Sequence, residues 1–196
     1  MAQIRSFPEH LSTERLVLRE YSAGDAAGLL DLVEDNREKL IREFPHTAGL
    51  RSLQEVGSFL QEKRAQWESG KTFCYGIWRK EQPAPIGQIQ VKNVAWEIPS
   101  AELGYFIGKA WQRQGYASES VRGILRVGFQ QLGFQRVYVR ILPSNRESFA
   151  LAKKLGFHEE GSQRKAFRCG LGDLHDVLYL SILAEEFSKD GNEDTK

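Results

Sequence analysis

The chain predicts a mixed α/β (α+β) fold: one mostly antiparallel sheet with a parallel strand pair and helices on both faces. Three observations lead there. Residues 72–79 and 86–94 read as strands, the second alternating Ile89 and Val91 with Gln88, Gln90 and Lys92, on either side of a turn that holds Pro83 and Pro85. A third strand, Ala101 to Ile107, leads into a helix with the face Val121, Ile124, Leu125, Gly128, Phe129 and Leu132, and then into a fourth strand, Arg136 to Leu142. Strand, crossover helix and strand make a parallel unit, and antiparallel strands followed by such a unit imply a sheet covered by helices. With 196 residues the chain suffices for one domain with its own core and would be cramped as two, so a single domain is expected over residues 1–187.

Taken in order, Leu16-Val17-Leu18 between Arg15 and Arg19 reads as the first strand. Ser22 to Asp25 offers a helix start of the capping-box kind, followed by Ala26, Leu29, Leu30 and Val33 at helical spacing. Residues 36–50 resist assignment: Leu40, Ile41 and Phe44 are apolar, but Pro45, Thr47 and Gly49 break a long helix, and a substrate-side loop is expected. Ser52 and Glu55 repeat the capping signal ahead of Leu53, Val56, Phe59, Leu60 and Trp67, a helix that Gly70 ends. Gly133 closes the crossover helix, and Asn145 begins a short helix carrying Phe149, Leu151, Ala152 and Leu155 to Gly156. Residues 159–167 and 177–183 then form a closing hairpin around a turn at Gly170 to Asp173. Residues 188–196 hold nothing apolar to bury and are expected to be disordered.

Composition removes several classes of function. Lys and Arg number 27 against 26 Asp and Glu, a net charge of +1, so no global field favours nucleic acid or an anionic membrane. Cys74 and Cys169 lie far apart without Cys-x-x-Cys spacing, which fits reduced thiols. His10, His46, His158 and His175 make no zinc-type cluster, and no metal is expected. Asp173, His175 and Asp176 invite a relay reading, but the glycines beside them favour a turn. Without a run of signal-peptide or membrane-spanning type, a soluble cytoplasmic protein is expected.

The chemistry centres on Gln112-Arg113-Gln114-Gly115-Tyr116-Ala117, where a strand ends and a helix begins. The first amides of a helix have no intrahelical partner, and the helix dipole adds positive charge there, so such an end takes phosphate. Gly115 admits a conformation and a close ligand approach that a β-carbon hinders, Ala117 keeps the first turn small, and Arg113 can add a full charge. A glycine turn of this kind also serves as a plain structural connection. Gln112-x-x-Gly115-x-Ala117, however, resembles the pyrophosphate signature of the GNAT superfamily of N-acetyltransferases, and the resemblance implies acetyl-coenzyme A as co-substrate.

A second stretch, Asn145-x-x-Ser148 followed by Lys154-Leu155-Gly156-Phe157, extends the resemblance, which runs from Thr13 to about Leu183. With Thr13-Glu14-Arg15-Leu16-Val17-Leu18-Arg19 it is similar to the branch acting on amino termini of ribosomal proteins, the RimJ/RimL-like group. The resemblance implies that Asn145 lies by the pantetheine arm, that Ser148 lies near the coenzyme thiol, and that the strand pair splays to admit the pantetheine. Ser148 is then the candidate to protonate the thiolate, directly or through water, the plain alternative being a helix cap at Asn145 with a polar first turn at Ser148. It also implies that backbone N–H groups near Phe106 and Ile107 polarise the thioester. Many members carry a tyrosine at the position of Ala152, absent here as in that branch. Glu102, in a Glu-x-Gly-Tyr phrase, is the implied base, acting through water, or else a member of a strand-edge ion pair. Glu159 and Glu160 are further acidic candidates, of which at most one faces the cleft.

The acceptor is then a primary amine: a protein amino terminus, a small molecule such as a polyamine, amino acid or antibiotic, or none at all if the chain is an acyl-coenzyme A sensor. An α-amine of pKa roughly 8 is already about a tenth neutral at pH 7, so a modest base suffices for it. The oligomeric state stays open, the resemblance allowing a homodimer.

Overall fold

The computed structural model describes residues 6–190. Its strands are β1 (His10–Ser12), β2 (Leu16–Glu20), β3 (Phe73–Arg79), β4 (Gly87–Ala95), β5 (Ser100–Ile107), β6 (Arg136–Ile141), β7 (His158–Arg168) and β8 (Leu174–Leu183). They form an eight-stranded sheet in the order β1-β2-β3-β4-β5-β6-β8-β7. Every neighbouring pair is antiparallel except β5 with β6, the pair joined by the crossover helix.

Alternation along the strands builds a core on each face. Phe73, Tyr75, Ile77, Ile89 and Val91 pack with Val121, Ile124 and Leu125 of α4 (Tyr116–Arg126) and with Ala152 of α5 (Arg146–Lys154) in one cluster. Cys74, Trp78 and Phe106 join Leu29, Leu32, Val33 and Leu40 of α1 (Ala26–Glu43), and Val56 and Phe59 of α3 (Leu53–Glu68), in the other. Helices thus cover both faces, as the element order requires.

The feature that matters for function is where pairing stops. β5 is laddered to β4 as far as Ile107, yet its register with β6 runs only from Ser100 opposite Arg136 to Leu103 opposite Val139. From Gly104 onward the parallel strands part, and the backbone polar groups on that edge of β5 are left for another partner.

Four details depart from the sequence reading. Residues 36–50 are helical rather than a loop: α1 continues to Glu43, because Leu40 keeps its buried face, and α2 (Pro45–Ala48) follows with the proline at its start. Phe44 separates them at φ −134°, ψ 63°, as the residue before a proline is pushed out of the helical region. The crossover helix does not run regularly to Gly133; α4 ends at Arg126 and a π-turn over Val127–Gln131 completes it. The edge strand β1 was not foreseen, being only three residues long and largely exposed. At the carboxyl end β8 begins at Leu174 rather than Val177, and α6 (Ala184–Asp190) continues through the backbone of residues 188–190, expected to be disordered. The rest of that expected tail, residues 191–196, lies outside the described residues, as do residues 1–5.

Candidate active site

At the carboxyl end of β5 the chain folds back on itself: Gln112 Nε2 donates to the Ile107 carbonyl at 2.9 Å. Arg113 and Gly115 then take left-handed conformations, φ +60° and +83°, and α4 starts. Glycine does this freely, whereas an arginine pays steric strain of about 1–2 kcal/mol. The N–H groups of Gly115, Tyr116, Ala117 and Ser118 have no acceptor among the described residues. Aligned free amides at the positive end of an eleven-residue helix are an anion cradle.

A clamp from the sheet holds this cradle. Glu119 accepts from Thr13 Oγ1 at 2.6 Å, from the Arg15 amide at 2.8 Å and from Arg15 Nε at 2.7 Å. Arg15 also donates to the Gln114 carbonyl at 3.0 Å and lies over the Tyr116 ring, 4.6 Å from its centroid. Burial alone pushes the Glu119 carboxyl up, but the bonds from Thr13 and Arg15 outweigh it and hold the pKa below the ordinary value.

Two cavities meet beside the cradle. The larger, about 380 Å³, is lined by Phe106, Ile107, Gln112, Arg113, Gly115 and the start of α4. The smaller, about 70 Å³, lies between the parted strands and Phe44, with Glu102, Asn145 and Phe167 in its wall. Glu43, Tyr105 and Ser148 line both. Tyr105 Oη is buried beside the Ser148 hydroxyl without a hydrogen bond of ordinary geometry, and burial drives its pKa up, the Ser148 hydroxyl offsetting a little. The phenol therefore stays protonated and has a hydrogen to donate.

The sequence-derived candidates fall into three groups. Gln112, Arg113, Gly115, Tyr116 and Ala117 line the larger cavity with Phe106 and Ile107, and Ser148 stands at the junction. Gln114 supports the loop, its carbonyl taking the Arg15 bond and its Nε2 donating to Ala110 O at 3.4 Å. Asn145 caps α5, its Oδ1 accepting from the Ser148 amide at 3.0 Å, and reaches only the smaller cavity. Arg113 projects outward, its side chain 89% exposed and 3.7 Å from Glu147.

Glu102 is the candidate that changes character. It is 2% exposed, with Lys92 Nζ and Arg140 Nε each 3.0 Å from Oε1 and Asn93 Nδ2 2.7 Å from Oε2. A carboxylate held by two cations and an amide is the centre of a buried ion-pair cluster. Its lone pairs are already committed, so the arrangement favours the ion-pair alternative over the role of proton acceptor. Glu160 is likewise engaged, with Arg136 and with Ser181 Oγ at 2.8 Å, and lines neither cavity.

Sequence reasoning passed over three residues of the site. Arg15 stood in the quoted first-strand phrase and Tyr105 in the Glu-x-Gly-Tyr phrase, but neither was given a task; Glu43 had no signal, being one of many helix glutamates. Away from the cavities, the turn between β7 and β8 brings ligand atoms of Cys169, Asp173 and His175 within 4.8 Å of one another, adding Cys169 to the Asp173 and His175 that the sequence sets close together. Among the described residues no helix is long and apolar enough to cross a membrane.

Known proteins carry the same architecture. The chain is 28% identical over 173 residues to the uncharacterised N-acetyltransferase YoaA of Bacillus subtilis, covering 88% of this chain and 96% of that one. It is 29% identical over 157 residues to the [ribosomal protein uS5]-alanine N-acetyltransferase of Escherichia coli, covering 77% and 79%. Among solved structures, RimL, a ribosomal L7/L12 alpha-N-protein acetyltransferase in complex with coenzyme A, superposes with a TM-score of 0.82 at 22% identity, over 89% of this chain and 98% of that one. The family model of the acetyltransferase (GNAT) domain matches residues 15–158, from the clamp arginine to the start of β7, and the chain belongs to that family of acetyltransferases.

Proposed function

We propose that the protein moves the acetyl group of acetyl-coenzyme A onto a primary amine, and that the amine is the amino terminus of a protein. The observation that carries this is the row of unpartnered amides at Gly115–Ser118 beside the opening between β5 and β6. The pyrophosphate lies on those amides with Arg113 nearby, and the pantetheine arm follows the opening. The backbone N–H of Ile107, on the edge of β5 turned away from β4, polarises the thioester carbonyl as charge develops on its oxygen, while the Phe106 N–H faces β4 in phase with the Gly108-to-Ile86 bond. Ser148, backed by the protonated Tyr105, supplies the hydrogen that the departing thiolate takes. Asn145 keeps that hydroxyl in place by capping its helix. Glu102 fixes Lys92 and Arg140 in the wall of the smaller cavity.

The α-amine acceptor is supported by the relative named as a [ribosomal protein uS5]-alanine N-acetyltransferase, and by the small proton demand of such an amine. Acetyl-coenzyme A at a hundredfold excess over Kd should stabilise the fold by about 2.7 kcal/mol, about 5–10 °C in Tm for a chain of this size, and adenosine far less. Thiol release is then followed with amino-terminal peptides against small amines. Release with small amines alone would replace the acceptor, binding without release would leave a sensor, and no melting shift at millimolar acetyl-coenzyme A would remove the coenzyme site.

A further inference from the structure

We propose that Glu43, at the carboxyl end of α1, takes the proton from the acceptor ammonium and so makes the amine nucleophilic. The inference rests on the acetyl-transfer reading and names the base of that reaction.

Position comes first. Amine and thioester must meet where the two cavities join, and the junction is lined by Glu43, Tyr105 and Ser148. Glu43 is the carboxylate among them. Its oxygens make no hydrogen bond or ion pair with any described residue, unlike those of Glu102, Glu119, Glu147 and Glu160. A half-buried carboxylate facing a cavity with its lone pairs free is a receptor for an incoming cation. Tertiary structure holds it there: Phe44 leaves the helix immediately after it and packs on Phe106, ring centroids 5.5 Å apart.

The surroundings tune it. Burial pushes the Glu43 carboxyl above the ordinary glutamate value; Lys39, four residues back on α1, pulls it down, and Glu147 on α5 adds to the rise. The Lys39 ammonium is engaged by Glu147 at 3.1 Å. Tyr105 faces it from β5 as a neutral phenol. Arg113 and Lys154 stand across the larger cavity, and the paired Lys92, Glu102 and Arg140 across the smaller one. Glu43 is thus a better proton acceptor than an exposed glutamate.

The step balances. One proton of the ammonium passes to a Glu43 oxygen, and the freed nitrogen lone pair forms the C–N bond at the thioester carbon. The tetrahedral adduct collapses with cleavage of the C–S bond. The second nitrogen proton passes through the Ser148 hydroxyl to the thiolate, and Glu43 releases its proton to solvent. Ammonium and thioester become amide, thiol and one free proton.

The test uses the full chain, acetyl-coenzyme A and a peptide with a free amino-terminal alanine, comparing wild type with Glu43→Gln from pH 6 to 9. Without the base only neutral amine can react, and for a pKa of roughly 8 that fraction is about a hundredth at pH 6 and a tenth at pH 7. The glutamine variant should therefore lose about a hundredfold in kcat/KM at pH 6 and about tenfold at pH 7, and come within about twofold of wild type at pH 9. Glu43→Asp should recover part of the loss. Wild-type rates in the glutamine variant, or a deficit that stays constant with pH as a packing defect would, overturn the proposal. Melting curves with and without acetyl-coenzyme A keep the two readings apart. A retained coenzyme shift with no pH-dependent deficit sinks Glu43 alone, whereas loss of the shift in wild type sinks the coenzyme site beneath it. A wild type that binds coenzyme but acetylates neither this peptide nor any other amine also overturns the base role.

Discussion

Replacing Gly115 by valine tests the anion cradle, and the structure supplies its own control. Gly115 sits at φ +83° and Gly133 at φ +73°, so a side chain with a branched β-carbon meets nearly the same backbone strain at both. Left-handed backbone costs an ordinary L-residue about 1–2 kcal/mol, and a β-branched residue falls at the upper end or beyond. A β-carbon at Gly133 meets nothing within 4 Å, and one at Gly115 meets only the flexible end of Arg15, at 3.2 Å from Nη2. Both variants should thus lose about 2 kcal/mol of stability. Their coenzyme affinities should diverge. The amides of Gly115–Ser118 bond to nothing among the described residues, so displacing them sacrifices no internal hydrogen bond and falls on the ligand instead. A hydrogen bond to a charged group is worth about 1.5–3 kcal/mol, so losing one weakens acetyl-coenzyme A by about 10- to 150-fold. Urea denaturation and calorimetric titration on the same preparations measure both quantities. Equal affinity losses in the two variants, or none at Gly115, would refute the cradle.

Ser148→Ala removes one hydroxyl at the cavity junction while the Asn145 cap, which uses the Ser148 backbone amide, stays. Turnover should drop on the order of 10²-fold with coenzyme affinity and melting temperature nearly unchanged; full turnover would dismiss the acid role. Glu102→Ala leaves Lys92 and Arg140 without their shared partner and should cost about 3 kcal/mol in stability, the low end for breaking a buried pair because both cations keep some access to solvent. A stable but inactive variant would return Glu102 to the catalytic step. At Asp25 burial pushes the carboxyl up, but bonds from Arg19 and Ser22 prevail and lower it to about 2. Since the folded-state value is depressed, the stabilisation is present above the unfolded value near pH 4 and disappears as pH falls through 2. Asp25→Asn should therefore be about 1–2 kcal/mol less stable than wild type at pH 7, after allowance for partial exposure, with the gap closing by pH 2 in paired melts.

The sequence by itself determined whatever depends on near neighbours. Alternation at residues 86–94 and the three- and four-residue spacing from Val121 to Leu132 report which side of each element is apolar, and that sets the order of strands and helices. The cradle belongs to the same class, because a strand end, a glycine and a small residue at fixed offsets suffice to aim free amides outward.

Tertiary structure decided which polar groups are committed and which are free. Glu102 and Glu43 are the same residue type in unremarkable local contexts. Glu102 is neutralised because strand register sets Lys92 opposite it and places Arg140 two residues beyond its partner Tyr138 on β6. Glu43 is left open because α1 survives as far as Phe44, where Pro45 ends it over the cavity junction. A proline and a glycine in residues 36–50 argued for a loop, but burial of Leu40 against the sheet outweighed that local preference. Periodicity measures the average burial of a face; the pairing of a single charge depends on atoms from elements far apart in the chain, and only the assembled sheet and helices bring them within reach.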